Sequence, residues 1–135
     1  MTKKYLLDTN ILIDLGRKET SVIKLLEKIN IEECEICSIV TAEYFQGLYM
    51  AKNINFERDW YRKFIEAGEM KILPFDEKCA KKYGEIQAKY LKLGKLRPLF
   101  DLVIASVCMV NNLTLVTKNV KDFEMIERLK IYKEK

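Results

Sequence analysis

Short apolar segments that alternate with helix-like segments are the feature that most constrains the fold of this chain. Apolar runs occur at residues 5–7, 35–37, 71–73 and 113–116, and a fifth is predicted around Ile131. Strands that alternate with helices form parallel sheets whose two faces the helices cover. The sequence therefore predicts an α/β fold with three α/β/α layers and a mostly parallel sheet of four to five short strands.

Helices are predicted where apolar residues recur at helical spacing behind a capping residue. Thr20 or Ser21 is expected to cap one helix, and Ser38 or Thr41 is expected to cap the helix after the second strand. Asp76 is expected to cap the longest helix. The predicted helices span residues 10–15, 21–29, 38–51, 56–67, 76–93, 100–110 and 122–129.

Aromatic side chains are concentrated on the two consecutive predicted helices between residues 40 and 67. On the first of these helices, the core face is expected to hold Ala42, Phe45, Leu48 and Tyr49. Exposed aromatic rings can stack on RNA bases. Packing in the core or between two copies of the chain is the simpler expectation for Tyr44, Phe45, Tyr49, Trp60, Tyr61 and Phe64.

Length and composition exclude several classes of protein. A chain of 135 residues suits one domain over residues 1–135. The absence of histidine excludes a Ser-His-Asp mechanism and a His-ligated metal site. No apolar run approaches the ~18 residues of a membrane span, and the apolar run before Asp8 is too short for a signal peptide. We therefore expect a cytoplasmic protein without membrane association.

The four cysteines are expected to be buried structural thiols. Cys34 and Cys37 form a single C-x-x-C pair, which without a second pair is a weak signal for zinc binding or redox chemistry. The pair lies in a predicted strand, and Cys108 lies in a very apolar helix. Free cysteines in such places usually behave as small apolar residues.

Acidic residues follow the predicted strands at the places where ligands of such sheets bind. Asp8 follows the first strand, and Glu43 lies in the first turns of the helix after the second. Asp101 opens the apolar helix before the fourth strand, while Asn119 and Asp122 follow that strand. Because ligands sit beyond the carboxyl ends of parallel strands, these side chains can meet in one crevice. Each acid alone also has a simpler explanation as a helix cap or a partner of the helix dipole.

A crevice with several carboxylates predicts a divalent cation, because the cation offsets their mutual repulsion. Ligation by oxygen alone fits Mg²⁺ or Mn²⁺. Such an ion keeps some of its waters, can activate one of them, and can polarise a phosphoryl oxygen. The pattern is therefore typical of a metal-dependent nuclease site.

The segments that hold these acids also carry a resemblance to a known family. They are residues 6–15 with Asp8-Thr9-Asn10, residues 38–48, residues 101–106 and residues 115–123. Together, and over nearly the whole chain, they resemble the PIN-domain ribonucleases and are most similar to the VapC-type toxins of type II toxin–antitoxin systems. The resemblance implies a three-layer fold with a parallel sheet and Mg²⁺- or Mn²⁺-dependent cleavage of single-stranded or looped RNA.

The resemblance also implies roles for the acids. By position, Asp8, Glu43 and Asp101 match the acids that hold the metal and serve catalysis in the family. Asn119 stands where many members have an acid, and Asp122 follows three residues later. Either residue is expected to complete the site through water, and the departure weakens a second metal site more than the first. One or two metal ions remain open.

Polar and basic neighbours of the acids complete the predicted site. Thr117, with Thr9 or Asn10, matches the small polar residues that orient ligands around the metal in the family. The net charge of +4 suits a polyanion, although a solvated Lys-rich surface is the simpler explanation. The candidate RNA contacts are Lys95, Arg97, Lys118 and Asn10, and ordinary surface charge is the alternative for the three basic residues.

The resemblance also implies partners, and the sequence leaves two alternative functions open. The resemblance implies a homodimer, an RNA substrate and a cognate antitoxin protein. A catalytically weakened RNA- or protein-binding module with this fold is the first alternative, because Asn119 replaces a usual acid. A receiver-like phosphoacceptor domain is the second, but the acid after its third strand would be Asp76, which has the features of a helix cap.

Overall fold

The structure, a computed structural model, describes residues 3–134 and is built around one parallel β-sheet. The strands have two to four residues each, and all four strand pairings are parallel. This arrangement confirms the predicted sheet and its strand count. The strands are β1 (Tyr5–Leu7), β2 (Cys34–Cys37), β3 (Ile72–Leu73), β4 (Thr114–Val116) and β5 (Lys130–Ile131).

The order of the strands places β1 at the centre of the sheet. The sheet runs β3-β2-β1-β4-β5, so β1 pairs with both β2 and β4. In these pairs, Tyr5 lies opposite Cys34 on one side and opposite Thr114 on the other. The carboxyl ends of three neighbouring strands therefore meet at one edge, where residues 8, 38 and 117 follow.

Helices cover this sheet. Among themselves, α1, α2, α3 and α4 form a connected group in which α1 contacts the other three, while α5 packs along α6 and α6 contacts β4. These contacts fit the predicted three-layer architecture. The helices are α1 (Thr9–Gly16), α2 (Thr20–Lys28), α3 (Ser38–Met50), α4 (Ile54–Tyr61), α5 (Glu77–Lys92), α6 (Leu99–Val110) and α7 (Val120–Phe123); a 3₁₀ turn occupies Ile31–Glu33, and a π-helical segment, Arg62–Glu66, continues α4.

Helix capping agrees with the sequence prediction at one helix and differs at two. Asp76 is the N-cap of α5, and its carboxylate accepts a 3.0 Å hydrogen bond from the backbone N–H of Cys79. The predictions for α2 and α3 were wrong, because their N-cap residues are Glu19 and Cys37 and neither donates or accepts a side-chain capping bond. Thr41 instead forms a 2.9 Å hydrogen bond with the hydroxyl of Tyr61.

The predicted helix at residues 122–129 is much shorter in the structure. Helix α7 ends at Phe123, and the chain continues in turns, with the N–H of Ile126 donating to the carbonyl of Phe123 at 3.0 Å. Arg128 has a φ of 68°, a left-handed conformation that no helix interior tolerates. These turns bury Phe123 and Ile126 and direct the chain into β5.

The buried face of helix α3 overlaps only partly with the one predicted. Leu48 is buried and Phe45 packs against the core, as predicted, but Ala42 is exposed and Tyr49 is 67% exposed. Val40 and Tyr44 are buried instead. The hydroxyl of Tyr44 donates a 3.0 Å hydrogen bond to the carbonyl of Glu57, which fixes α3 against α4. The other side of α3 is therefore free to form part of the crevice at the sheet edge.

The cysteines agree with the sequence prediction of buried structural thiols. All four cysteines are free and buried, and burial raises the pKa of Cys34 and of Cys108 to about 12. A thiol with so high a pKa is a poor nucleophile. Over residues 3–134, the structure contains no helix that is long and apolar enough to cross a membrane.

Candidate active site

A cleft of about 280 Å³ opens at the edge of the sheet where β1, β2 and β4 end. Asp8, Glu43, Asp101 and Asn119 line this cleft, as the sequence predicted, together with Thr9 and Asn10, the candidate orienting residues. The chain therefore brings together side chains from four separate segments. The remaining lining residues are Ile13, Gln46, Gly47 and Met50.

Asp8 lies at the floor of the cleft and is only 4% exposed. One of its carboxylate oxygens, Oδ1, accepts a 2.8 Å hydrogen bond from the backbone N–H of Thr9, so Asp8 is the N-cap of α1. Burial raises the pKa of the Asp8 carboxyl, and hydrogen bonds from Thr117 and Thr9 oppose that shift. Asp8 thus caps a helix and also presents a carboxylate in the cleft.

Thr117 and Asn119 fix the second oxygen of Asp8. The hydroxyl of Thr117 donates to Oδ2 of Asp8 at 2.7 Å. That hydroxyl in turn accepts a 3.0 Å hydrogen bond from the backbone N–H of Asn119. Because the Asn119 N–H occupies the acceptor side of the hydroxyl, the Thr117 proton is directed at Asp8. The loop after β4 therefore sets the orientation of the central carboxylate.

Glu43 is held by the residue that follows Asp8. The hydroxyl of Thr9 donates to Oε1 of Glu43 at 2.6 Å, a bond between α1 and α3. Thr9 therefore serves both acids, through its N–H to Asp8 and through its hydroxyl to Glu43. This agrees with the orienting role that the resemblance implied for Thr9 or Asn10. Asn10 lines the cleft beside it.

Asp101 lies in the first turn of α6 and faces the other acids of the cleft. Burial raises the pKa of Asp101 to about 6, and the negative charges of Asp8, Asp122 and Glu43 add to the shift. No side chain in the described part of the chain caps α6 by a hydrogen bond. A capping hydrogen bond therefore does not explain Asp101, although its place in the first turn suits the helix dipole, and the neighbouring acids surround it with negative charge.

Asp122 contributes to this site only at a distance. It lies in α7, is exposed, and is not among the residues that line the cleft. It is also not the cap of α7, whose N-cap residue is Asn119. Its charge nevertheless helps to raise the pKa of both Asp8 and Asp101. Between the two candidates for the fourth position, Asn119 is the one in the cleft.

The lining residues fit a hydrated Mg²⁺ or Mn²⁺ ion. Their donors are carboxylate and amide oxygens, which these ions prefer. Within residues 3–134, no three acidic or cysteine side chains are arranged to coordinate one ion together. Mg²⁺ keeps several waters and is commonly bound through one or two carboxylates. The site therefore suits an ion held in part through water, and a cation there would offset the charges of the neighbouring acids, which add to the effect of burial on the pKa of Asp101.

The predicted basic contacts lie outside the cleft. Lys118 forms a 2.7 Å ion pair with Asp14 of α1. Arg97 lies over the ring of Tyr90, with its guanidinium carbon 5.4 Å from the ring centre, and it contacts the sulfur of Met125. Lys95 is exposed in the connection between α5 and α6. None of these three residues lines the cleft, whereas Asn10 does.

Sequence reasoning missed the part of the cleft that α3 forms beyond Glu43. Gln46, Gly47 and Met50 follow Glu43 by three, four and seven residues, which places them on the same face of the helix. Helical spacing from Glu43, a predicted site residue that lines the cleft, was the signal that could have found them. This signal was overlooked because the face of α3 that the sequence predicted for the core included Tyr49.

Comparison with known proteins identifies the family of this chain. The family model described as "PIN domain" matches residues 5–129. The "Ribonuclease VapC2" of Rickettsia felis is 34% identical over 129 residues, which cover 93% of either chain. The "tRNA(fMet)-specific endonuclease VapC" of Shigella flexneri is 25% identical and covers 94% of this chain and 95% of its own.

A solved structure has the same fold over nearly the whole chain. It is the crystal structure of VapBC2 from Rickettsia felis bound to a DNA fragment from the promoter of its genes. The TM-score is 0.81, with 31% identical residues, and the match covers 97% of this chain and 98% of that one. The likeness thus extends to the α/β/α architecture and to the order of its elements.

Proposed function

Because this chain belongs to the PIN-domain family and, within it, to the VapC-type proteins, we propose that it is a Mg²⁺-dependent endoribonuclease and the toxin of a toxin–antitoxin pair. One observation carries the proposal. Asp8, Glu43, Asp101 and Asn119 come from four segments and line a single cleft at the carboxyl edge of the sheet. Burial raises the pKa of Asp101 to about 6 and the neighbouring acids add to the shift, so a bound cation would stabilise the charged cleft.

Asp8, Glu43 and Asp101 would hold the ion, in part through water molecules. When bound, a divalent ion supplies an activated water and stabilises the charge that develops on a phosphoryl group. Asp8 serves as the central anchor, because both of its carboxylate oxygens are fixed by hydrogen bonds from Thr9 and Thr117. Asn119 completes the polar lining opposite α3 and positions the Thr117 hydroxyl through its backbone N–H.

RNA is the proposed substrate because the curated relatives named above are called ribonucleases or a tRNA endonuclease. The open cleft admits a single strand whose phosphodiester reaches the acids. Lys95, Arg97 and Lys118 stay a prediction as contacts to the flanking backbone outside the cleft. Asn10 is the predicted contact that lies inside it.

An antitoxin protein is the proposed partner. The related structure from Rickettsia felis is a VapBC2 complex bound to promoter DNA. By analogy, a cognate antitoxin would bind this chain and restrain its nuclease. A homodimer in the cytoplasm remains part of the proposal, and size measurement of the purified protein would test the dimer.

The decisive experiment measures cleavage of labelled RNA by the purified protein with Mg²⁺, with Mn²⁺ and with EDTA. We expect cleavage with either ion, none with EDTA, and none from Asp8→Asn or Asp101→Asn. Asp59→Asn is a matched control, because it removes an exposed acid of α4 outside the cleft. Cleavage that persists in EDTA or in Asp8→Asn would disprove the mechanism. RNA binding without metal-stimulated cleavage would identify the alternative, a binding module that has lost catalysis.

A further inference from the structure

One wall of the cleft is a single face of α3. Glu43, Gln46, Gly47 and Met50 recur at helical spacing along that face and all line the cleft. At a rise of 1.5 Å per residue, the seven steps from Glu43 to Met50 cover about 10 Å. The wall therefore extends two helical turns beyond the acids, farther than a phosphate group alone requires.

Gly47 lies in the middle of this wall, and the fold gives no reason for a glycine there. It is an interior residue of α3, and its φ is not among the positive values of the described chain. A Cβ atom built on Gly47 would meet no atom of the described residues within 4 Å. Glycine inside a helix lowers stability relative to alanine. The missing side chain therefore leaves open space in the cleft at a cost to the helix.

The chemistry of the wall changes along its length. Glu43, at one end, lies with Asp8 and Asp101, where a cation and a phosphate are expected. Gln46, Gly47 and Met50 carry no charge, and Met50 is 80% exposed. An amide that can reach a base edge and an apolar thioether suit the ribose and base of a nucleotide rather than its phosphate.

We propose that Gly47 is the point of closest approach between α3 and the RNA, and that Gln46 and Met50 flank the nucleotide next to the cleaved phosphate. The bare backbone at Gly47 lets the ribose pass close to the helix, as glycine does wherever a ligand approaches a main chain. This inference rests on the proposed ribonuclease function and adds a substrate-binding surface to it.

The test compares two glycines that both lie inside a helix with open space at the Cβ position, one in the cleft and one outside it. Gly84 also lies inside an exposed stretch of helix, in α5, has open space where a Cβ would be, and does not line the cleft. The variants are Gly47→Ala, Gly47→Leu, Gly84→Ala and Gly84→Leu. Three quantities are measured for each: the thermal midpoint, the affinity for a labelled single-stranded RNA with Ca²⁺ in place of Mg²⁺, and KM and kcat for cleavage with Mg²⁺.

We expect both alanine variants to raise the thermal midpoint by about 1–5 °C, because alanine is the better helix former. Gly47→Leu should weaken RNA affinity and raise KM on the order of tenfold or more, since the leucine side chain would occupy the space through which the ribose is proposed to pass. In the wild type this contact would be made both in the bound substrate and in the transition state. Its loss should therefore change kcat less than KM. The Gly84 variants should keep the affinity and KM of the wild type.

Each other outcome has a definite meaning. If Gly47→Leu folds and binds and cleaves RNA like Gly84→Leu, the inference is wrong while the proposed function stands. If the wild type binds RNA without cleaving it, the proposed function fails, and the affinity of Gly47→Leu still decides the inference. If the wild type neither binds nor cleaves RNA, both are overturned.

Discussion

The hydroxyl of Thr117 donates a 2.7 Å hydrogen bond to Oδ2 of Asp8, joining residues that lie 109 positions apart in the chain. Both side chains are buried at the point where β1 and β4 end side by side. The bond fixes the direction in which Asp8 presents its carboxylate to the cleft. Partners of metal-binding groups commonly control metal affinity in this way.

Replacement of Thr117 tests this positioning role. Thr117→Val keeps the shape of the side chain but removes the donor, so the pKa of Asp8 should rise further and its hold on Mg²⁺ should weaken. We expect RNA cleavage at low Mg²⁺ to fall about 10- to 100-fold, with partial recovery at high Mg²⁺. A Mg²⁺ titration of the cleavage rate measures the effect.

Two further variants make the Thr117 result specific. Thr117→Ser keeps the hydroxyl and should restore the Mg²⁺ dependence of the wild type. Thr114→Val changes the same residue type at the start of β4, outside the cleft, and should have little effect. An unchanged Mg²⁺ dependence in Thr117→Val would contradict the role assigned to the bond.

The pH dependence of stability should report the charge on Asp101. Its folded-state pKa of about 6 lies above the ordinary value of 3.8. A raised carboxyl pKa favours the protonated form in the fold, so this stabilisation is present below about 3.8 and is lost as the pH rises through about 6. Without metal, Asp101→Asn should therefore gain in thermal midpoint over the wild type as the pH rises from about 5 to about 7.5.

Bound Mg²⁺ should remove the advantage in thermal midpoint that Asp101→Asn has over the wild type at neutral pH. Mg²⁺ that binds only the folded state stabilises it, so the thermal midpoint of the wild type should rise with Mg²⁺ at neutral pH. The midpoint of Asp101→Asn should respond less, since one of the proposed ligands has lost its charge. Thermal unfolding in EDTA and in Mg²⁺ at both pH values measures this. A constant difference between the two proteins across the pH range would refute the assigned pKa.

The ion pair between Lys118 and Asp14 should help to hold the loop that carries Thr117 against α1. Its atoms are 2.7 Å apart, but both side chains are partly exposed. Such pairs contribute about 0.2–1 kcal/mol to stability. Lys118→Met and Asp14→Asn should each lower cleavage modestly, and the double variant should lose no more than the larger single loss.

A direct RNA contact by Lys118 would give a different pattern. In that case only Lys118→Met would weaken RNA binding and reduce its salt dependence, while Asp14→Asn would free the lysine and leave binding intact. The comparison of RNA affinity at several salt concentrations separates the two roles. It therefore decides whether the predicted phosphate contact at Lys118 is correct.

Gly68 offers a prediction about stability alone. A Cβ atom at this position would lie 2.3 Å from the carbonyl oxygen of Phe64, at the end of the π-helical segment. Backbone cannot move aside as a flexible side chain does, so Gly68→Ala should lower the free energy of unfolding by roughly 1–3 kcal/mol. Chemical denaturation measures it, and Gly84→Ala is the control that should not destabilise the protein.

The sequence predicted those parts of the fold that depend on local signals. Most strands lie in short runs rich in apolar residues. Asp76 caps α5 because an acid at that place satisfies a backbone N–H. The site acids were predictable because the strand ends of a parallel sheet converge. Asp8, Glu43, Asp101 and Asn119 accordingly meet in one cleft.

Features that depend on tertiary packing escaped prediction. The turns after α7 depend on the left-handed backbone of Arg128 and on burial of Ile126, neither of which a helical pattern reveals. The inner face of α3 depends on which helix packs beside it. Glu35 is a third case, since nothing in the sequence indicates that this acid on β2 is buried, with one carboxylate oxygen lacking a hydrogen-bond partner in the described part of the chain.

The central place of β1 has a consequence for the order in which the protein folds. Thr117 and Asn119 reach the carboxylate of Asp8 only when β4 has paired with β1. Contacts so distant in sequence form late and slowly. The hydrogen bonds that orient Asp8 in the proposed site are therefore completed only once the centre of the sheet has formed.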